Sequence, residues 1–100
     1  MPSEDRIVHV TISGRVQGVG YRAWTYEEAL KRDLRGWVRN RANGSVEAVF
    51  AGTAEAVAEM CSACWQGPRL AAVTNVVIID TDETALAAGG GRSFQFLATL

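Results

Sequence analysis

The sequence predicts an α+β sandwich in the order βαββαβ: an antiparallel sheet, two helices on one of its faces and a short fifth strand at the C-terminus. Three observations carry that expectation. Val8, Val10 and Ile12 alternate with His9, Thr11 and Ser13, the period-two pattern of a half-buried strand. Two stretches of helical spacing, one from Tyr21 and one from Thr53, are each flanked by strand-like runs. Asn43-Gly44, the strongest short hairpin signal, separates residues 37–40 from residues 46–50 and makes those runs antiparallel neighbours.

The elements follow in order. Residues 1–5 read as a loose N-terminal tail on a single domain spanning 1–100, and the first strand follows them. Gly14, Gly18 and Gly20 mark a loop, after which Ala23, Tyr26, Leu30 and Leu34 form a helical stripe. Thr53 is placed to cap the second helix, with Glu55 in the first turn, where a carboxylate suits the helix dipole. That helix runs to about Trp65 and is stopped by Gly67-Pro68. Residues 73–80 read as a fourth strand, buried enough to hold consecutive branched side chains. Residues 85–91 read as a flexible loop, and Phe94 and Phe96 alternate in a fifth strand over 93–97. This is the ferredoxin-like arrangement.

Composition narrows the function. One hundred residues with 48% hydrophobic and 21% charged content describe a small folded unit and not a disordered tail. The longest Val/Ile run, Val76 to Ile79, is far short of the roughly 20 residues of a membrane span. The N-terminus lacks the basic and apolar regions of a secretory signal, and two cysteines are too few for a disulfide framework. A cytoplasmic monomer is expected, with no membrane partner. The net charge of −1 argues against a general nucleic-acid footprint. The charge is nonetheless uneven, since residues 14–44 carry seven basic and three acidic side chains. Nine of the ten cations are arginine, suited to forked contacts with carboxylate or phosphate.

Residues 14–22, Gly-Arg-Val-Gln-Gly-Val-Gly-Tyr-Arg, lie between a strand end and a helix start, where unpaired backbone N–H groups and the positive end of the dipole gather. Glycines let the backbone close around phosphate oxygens, and Arg22 can complete the cradle with a bidentate fork. The candidate ligand-binding set is therefore Arg15, Val16, Gln17, Gly18, Val19, Gly20 and Tyr21, with Arg22 beside it. A tight packing turn with Arg22 solvated is the plainer reading. A P-loop is excluded, because the loop ends Gly20-Tyr21-Arg22 and not Gly-Lys-Ser/Thr. Gly18-x-Gly20-x-x-Ala23 fits a dinucleotide fingerprint, but Asn40-Arg41 stands where an acidic ribose ligand is expected, and the chain is too short for a doubly wound sheet.

GRVQGVGYR (14–22) resembles the first signature of the acylphosphatase family, and GWVRNRANGSVE (36–47) resembles its second. The likeness extends through about residues 7–80. It implies the same βαββαβ fold and hydrolysis of the carboxyl-phosphate bond of a small-molecule acyl phosphate, with no metal or organic cofactor. By the same resemblance Arg22 matches a phosphate-binding arginine and Asn40 an asparagine that positions the attacking water. The sequence departs from the family after Asp80, where residues 81–92 are Ala/Gly-rich and the chain ends Phe-Gln-Phe-Leu-Ala-Thr-Leu. The competing reading is a module that binds phosphate or carbamoyl phosphate without turnover.

The bare chemistry is compatible with the enzyme. An acyl phosphate carries a good carboxylate leaving group, so its cleavage mostly needs charge neutralisation and in-line positioning. Arg22 with loop N–H groups can neutralise, and a neutral carboxamide such as Asn40 can orient a water. Cys61-Ser62-Ala63-Cys64 suggests redox or zinc chemistry, yet Val57, Met60, Cys61 and Cys64 share one helical stripe and read as core. His9 reads as a surface histidine, with no Cys or carboxylate partner at ligand spacing. RNA binding would need aromatics on the open sheet face, where the third strand has Glu47, Val49 and Ala51.

Overall fold

The computed structural model describes residues 5–89 and 93–100. The strands are β1 (Asp5–Arg15), β2 (Arg35–Asn40), β3 (Val46–Thr53), β4 (Ala72–Asp80) and β5 (Gln95–Phe96). The helices are α1 (Tyr21–Lys31) and α2 (Ala54–Cys64), with a 3-10 helix over Glu83–Gly89. In the sheet the strand order is β4-β1-β3-β2-β5, which puts β4 at an edge, so Val77, Ile78 and Ile79, expected to be buried, are exposed and only Val76 of that strand is buried. The first four strands pair antiparallel, as in the ferredoxin-like sandwich, while β5 pairs parallel with β2, so the full sheet is mixed. Asp5, placed in the tail by sequence, is already strand and stands opposite Thr53. The rest of that tail, residues 1–4, lies outside the described residues.

The alternation in β1 has the expected consequence: Val8, Val10 and Ile12 are fully buried and face α1 and α2 together with Val38, Ala48 and Phe50. In α2 the stripe of Val57, Met60, Cys61 and Cys64 is buried, and Thr53 caps the helix by accepting from the Ala56 N–H at 3.2 Å. The α1 stripe differs from the reading. Tyr21, Thr25 and Ala29 are the buried positions, Leu30 is 46% exposed, and Leu34 lies beyond the helix. Thr25 tolerates burial because its hydroxyl donates to the Tyr21 carbonyl at 2.8 Å, so no polar group is stranded. The helix stops early because Leu34 N–H returns to the Ala29 carbonyl, with Asp33 at φ 55° turning the chain.

The largest departure lies on the opposite face of the sheet. The segment expected to be a flexible loop from Ala85 forms the 3-10 helix instead, and it places Leu86 on Trp37, Val49 and Ala51 in a second apolar cluster. Residues 90 and 91 of that segment lie outside the described residues. Trp37 Nε1 donates to the Ala85 carbonyl at 2.7 Å and fixes the helix in place. Val49 and Ala51 are consequently buried and not on an open face. An Ala-rich stretch has no strong periodicity, and one leucine over an indole is enough to seat a single short helix.

Past β5 the chain continues beside β2. Leu97 N–H donates to the Val38 carbonyl at 2.9 Å, Leu100 N–H to the Asn40 carbonyl at 3.1 Å, and Ala42 N–H to the Leu100 carbonyl at 3.0 Å. The C-terminal segment thereby runs along the strand that ends at Asn40.

Candidate active site

The loop after β1 is held from both sides. Val16 is buried in the core, and the Gln17 amide donates to the carbonyls of Arg41 and Ser45 at 2.7 and 2.8 Å, tying the loop to the β2–β3 turn. That turn is braced by Asn43 Oδ1, which accepts from Ser45 N–H at 3.0 Å and from its hydroxyl at 2.7 Å. Gly18 and Gly20 stand at φ 74° and 81°. A Cβ at either would meet nothing within 4 Å, so glycine is needed for the left-handed backbone and not for space. Helix α1 opens at Gly20 with no side-chain cap. The orphan N–H donors of its first turn are thus left for a ligand, at the positive end of the helix dipole.

Arg22 leaves that first turn and lies with its guanidinium carbon 4.7 Å from the Phe96 ring centroid. Its polar contact among the described residues, Nη1 to the Leu97 carbonyl at 3.5 Å, is long and leaves the fork open. Asn40 ends β2, and its Oδ1 is buried without a hydrogen-bond partner among the described residues. A buried acceptor in that state is costly unless a ligand or water fills it.

These groups meet in one cavity of about 250 Å³. Of the residues expected from sequence, Arg22, Asn40, Val16, Gln17, Gly18, Gly20 and Tyr21 line it. Arg15 and Val19 are absent from the lining: Arg15 is exposed at the end of β1 opposite Ala72, and Val19 packs against the core. Tyr21 contributes its position at the helix start, since its hydroxyl turns inward to donate to the Cys64 carbonyl at 2.6 Å. Burial, with Cys64 alongside, raises the Tyr21 phenol well above its usual range. Burial also pushes the Cys64 thiol up to about 12, and both cysteines are free and buried, as packing residues should be.

Two features escaped the sequence. Phe96 lines the cavity and supports Arg22, although nothing in its alternation with Phe94 reveals which strand it joins. His9, read as a surface histidine, is half-buried and meets Glu47 Oε2 at 2.6 Å. Glu47 also accepts from Arg39 Nε at 2.8 Å and Arg41 Nη1 at 3.1 Å. The β1–β3 register, which sets His9 against Val49, places Glu47 diagonally across on the same face. Burial alone would raise the Glu47 pKa, but the hydrogen bonds from His9 and Arg39 outweigh it and hold the carboxyl below its ordinary value. The cluster lies outside the cavity and braces Arg41, whose carbonyl receives Gln17.

The acylphosphatase family model matches residues 8–94, covering both the loop and Asn40. The chain belongs to the acylphosphatase family. The acylphosphatase of Alcanivorax borkumensis is 56% identical over 91 residues, which cover 91% of this chain and 96% of that protein. Among solved structures, the acylphosphatase from Bacillus subtilis superposes with a TM-score of 0.82 at 32% identity, covering 91% of this chain and 97% of that one. Full-length HypF superposes with a TM-score of 0.85 at 18% identity over 99% of this chain and 13% of that one, a likeness of fold alone. Membership makes the chain an enzyme, and acyl phosphates are the substrates of its family.

Proposed function

We propose that the enzyme hydrolyses acyl phosphates by in-line attack of a water oriented by Asn40 on a phosphate held by Arg22 and the backbone of residues 14–20. The observation that supports this most directly is the meeting of the Arg22 fork, an uncapped helix start and the unpartnered Asn40 oxygen in one cavity. The phosphate dianion lies against the guanidinium and the loop N–H groups, which stabilise the charge spread over its equatorial oxygens. A water donates one hydrogen bond to Asn40 Oδ1, and its oxygen forms the new bond to phosphorus as the bond to the carboxylate oxygen breaks. The leaving group departs as a carboxylate, which needs no acid, and the water proton passes to a phosphate oxygen. One acyl phosphate dianion, a mixed anhydride, and one water thus become one carboxylate and one dihydrogen phosphate.

The groups in this scheme are arginine, carboxamide and backbone donors, and among the described residues no cluster of three His, Cys, Asp or Glu side chains comes together. With charge neutralised by Arg22 and the loop backbone, and a carboxylate that leaves without acid, the reaction we propose uses no metal or organic cofactor. We propose a monomer, and the free thiols fit the reducing cytoplasm. The decisive assay is phosphate release from acetyl phosphate in the presence of a chelator, with inorganic phosphate added as inhibitor. Competitive inhibition is the expected outcome. Activity that disappears with chelator and returns with metal would falsify the scheme.

A further inference from the structure

A second cavity, of about 300 Å³, opens beside the first and shares Ala23 and Phe96 with it. Its other walls are Trp24, Tyr26, Glu27 and Glu28 of α1. The volume is at the lower end of ligand pockets, roughly 300–1,000 Å³, and large for ordered water alone. Tyr26 packs its ring against Phe94 and Phe96 at centroid distances of 6.2 and 6.5 Å, so the aromatic wall is fixed by its own contacts.

The charges of the groove are not equivalent. Glu28 is engaged by Arg32 Nη1 at 2.9 Å and by Lys31 Nζ at 3.0 Å. Glu27 is exposed on the rim of the groove, and no ion pair engages it among the described residues. Phe96 and Ala23, common to both cavities, give the acyl group of a phosphate seated on Arg22 a direct way into the groove.

From this continuity we infer that the groove is the acyl subsite and that it selects uncharged, apolar or aromatic acyl groups over anionic ones. The inference rests on the phosphate site proposed above. Aromatic surface on Phe96 and Tyr26 meets an apolar acyl tail, whereas a second carboxylate on the tail would face Glu27.

The test compares kcat/KM for acetyl, benzoyl and succinyl phosphate in the wild type, in Glu27→Lys and in Tyr26→Ala, at low ionic strength, where an exposed charge is least screened. Each value is divided by that for acetyl phosphate, whose short tail reports the phosphate site alone; the comparison of variant with wild type cancels intrinsic reactivity. Glu27→Lys is expected to raise the succinyl ratio by about 3- to 10-fold with the acetyl rate nearly unchanged. Tyr26→Ala is expected to lower the benzoyl ratio by about fivefold. Either ratio staying within twofold of wild type overturns the acyl subsite. If circular dichroism shows that Tyr26→Ala fails to fold, Glu27→Lys decides alone. Acetyl phosphate hydrolysed normally with flat ratios rejects the subsite while leaving the phosphate site standing. Loss of all three activities in the wild type would reject both.

Discussion

The Arg22 guanidinium lies over the Phe96 ring, 4.7 Å from its centroid, and so a residue from the last strand supports the cation at the start of the first helix. Seventy-four positions separate the two in the chain. Stacking on an aromatic face limits the rotamers of the arginine without consuming its donors, which stay available to phosphate. Phe96→Ala should therefore weaken phosphate binding by roughly fivefold, about 1 kcal/mol of lost cation–π contact. The inhibition constant of inorganic phosphate reads this directly. An unchanged constant in a folded variant would show that Arg22 is held by other means.

Arg22 and Asn40 should fail in different ways. Arg22→Ala removes a fork that serves both bound substrate and transition state, so KM should rise and kcat should fall by about 10²-fold or more. Lysine should restore little, because a point charge cannot present two coplanar donors. Asn40→Ala should lower kcat while phosphate inhibition stays close to wild type, and Asn40→Asp should weaken inhibition as well by placing a negative charge near the dianion. Equal loss of phosphate binding in folded Arg22→Ala and Asn40→Ala would contradict the separate roles.

The paired substitution Cys61→Ala/Cys64→Ala should cost about 1–3 kcal/mol of stability through lost buried volume and leave turnover intact. Urea denaturation beside a turnover measurement makes the comparison. In the wild type, the burial that pushes the Cys64 thiol up to about 12 keeps it protonated at neutral pH. Iodoacetamide at pH 8 should therefore leave Cys64 unmodified in the folded enzyme and label it in urea.

Leu86→Ala should destabilise the fold by about 2–3 kcal/mol, since Leu86 is 2% exposed and is the main side chain seating the 3-10 helix on Trp37 and Val49. Trp37 fluorescence should shift to the red as water reaches the indole. A variant as stable as wild type would mean that the helix contributes no net packing.

Glu47 supplies a pH dependence. Its folded pKa lies below the ordinary carboxylate value, so it contributes stability above that value, and the contribution disappears as the pH falls through the lowered one. Glu47→Gln should lower stability at pH 7 by about 1–2 kcal/mol through the lost charge-assisted hydrogen bonds from Arg39 and Arg41. The gap between variant and wild type should close in strongly acidic urea titrations. A gap independent of pH would assign the effect to shape and not to charge.

Strand and hairpin positions were legible because each rests on short-range chemistry. The period-two alternation of Val8, Val10 and Ile12, the Asn43-Gly44 turn and the Thr53 cap each need only a few neighbouring residues to be specified. The glycine-rich loop was legible for the same reason, since its left-handed glycines and the helix start that follows them are neighbours in the chain. The α1 stripe was misplaced because burial of Thr25 depends on a hydroxyl satisfied within the helix, which a count of apolar spacing does not register.

Local signals in the chain specified the order of elements, the glycine-rich loop and, through two signatures, the family to which the chain belongs. Which residues from distant strands line the candidate site was left to the tertiary fold. The Phe96 platform under Arg22, the groove beside Tyr26 and Glu27, and the His9–Glu47 contact all depend on strand order and register. Period-two alternation says which face a side chain occupies but not which strand lies beside it, and a parallel pairing of two residues at a sheet edge has no turn to announce it.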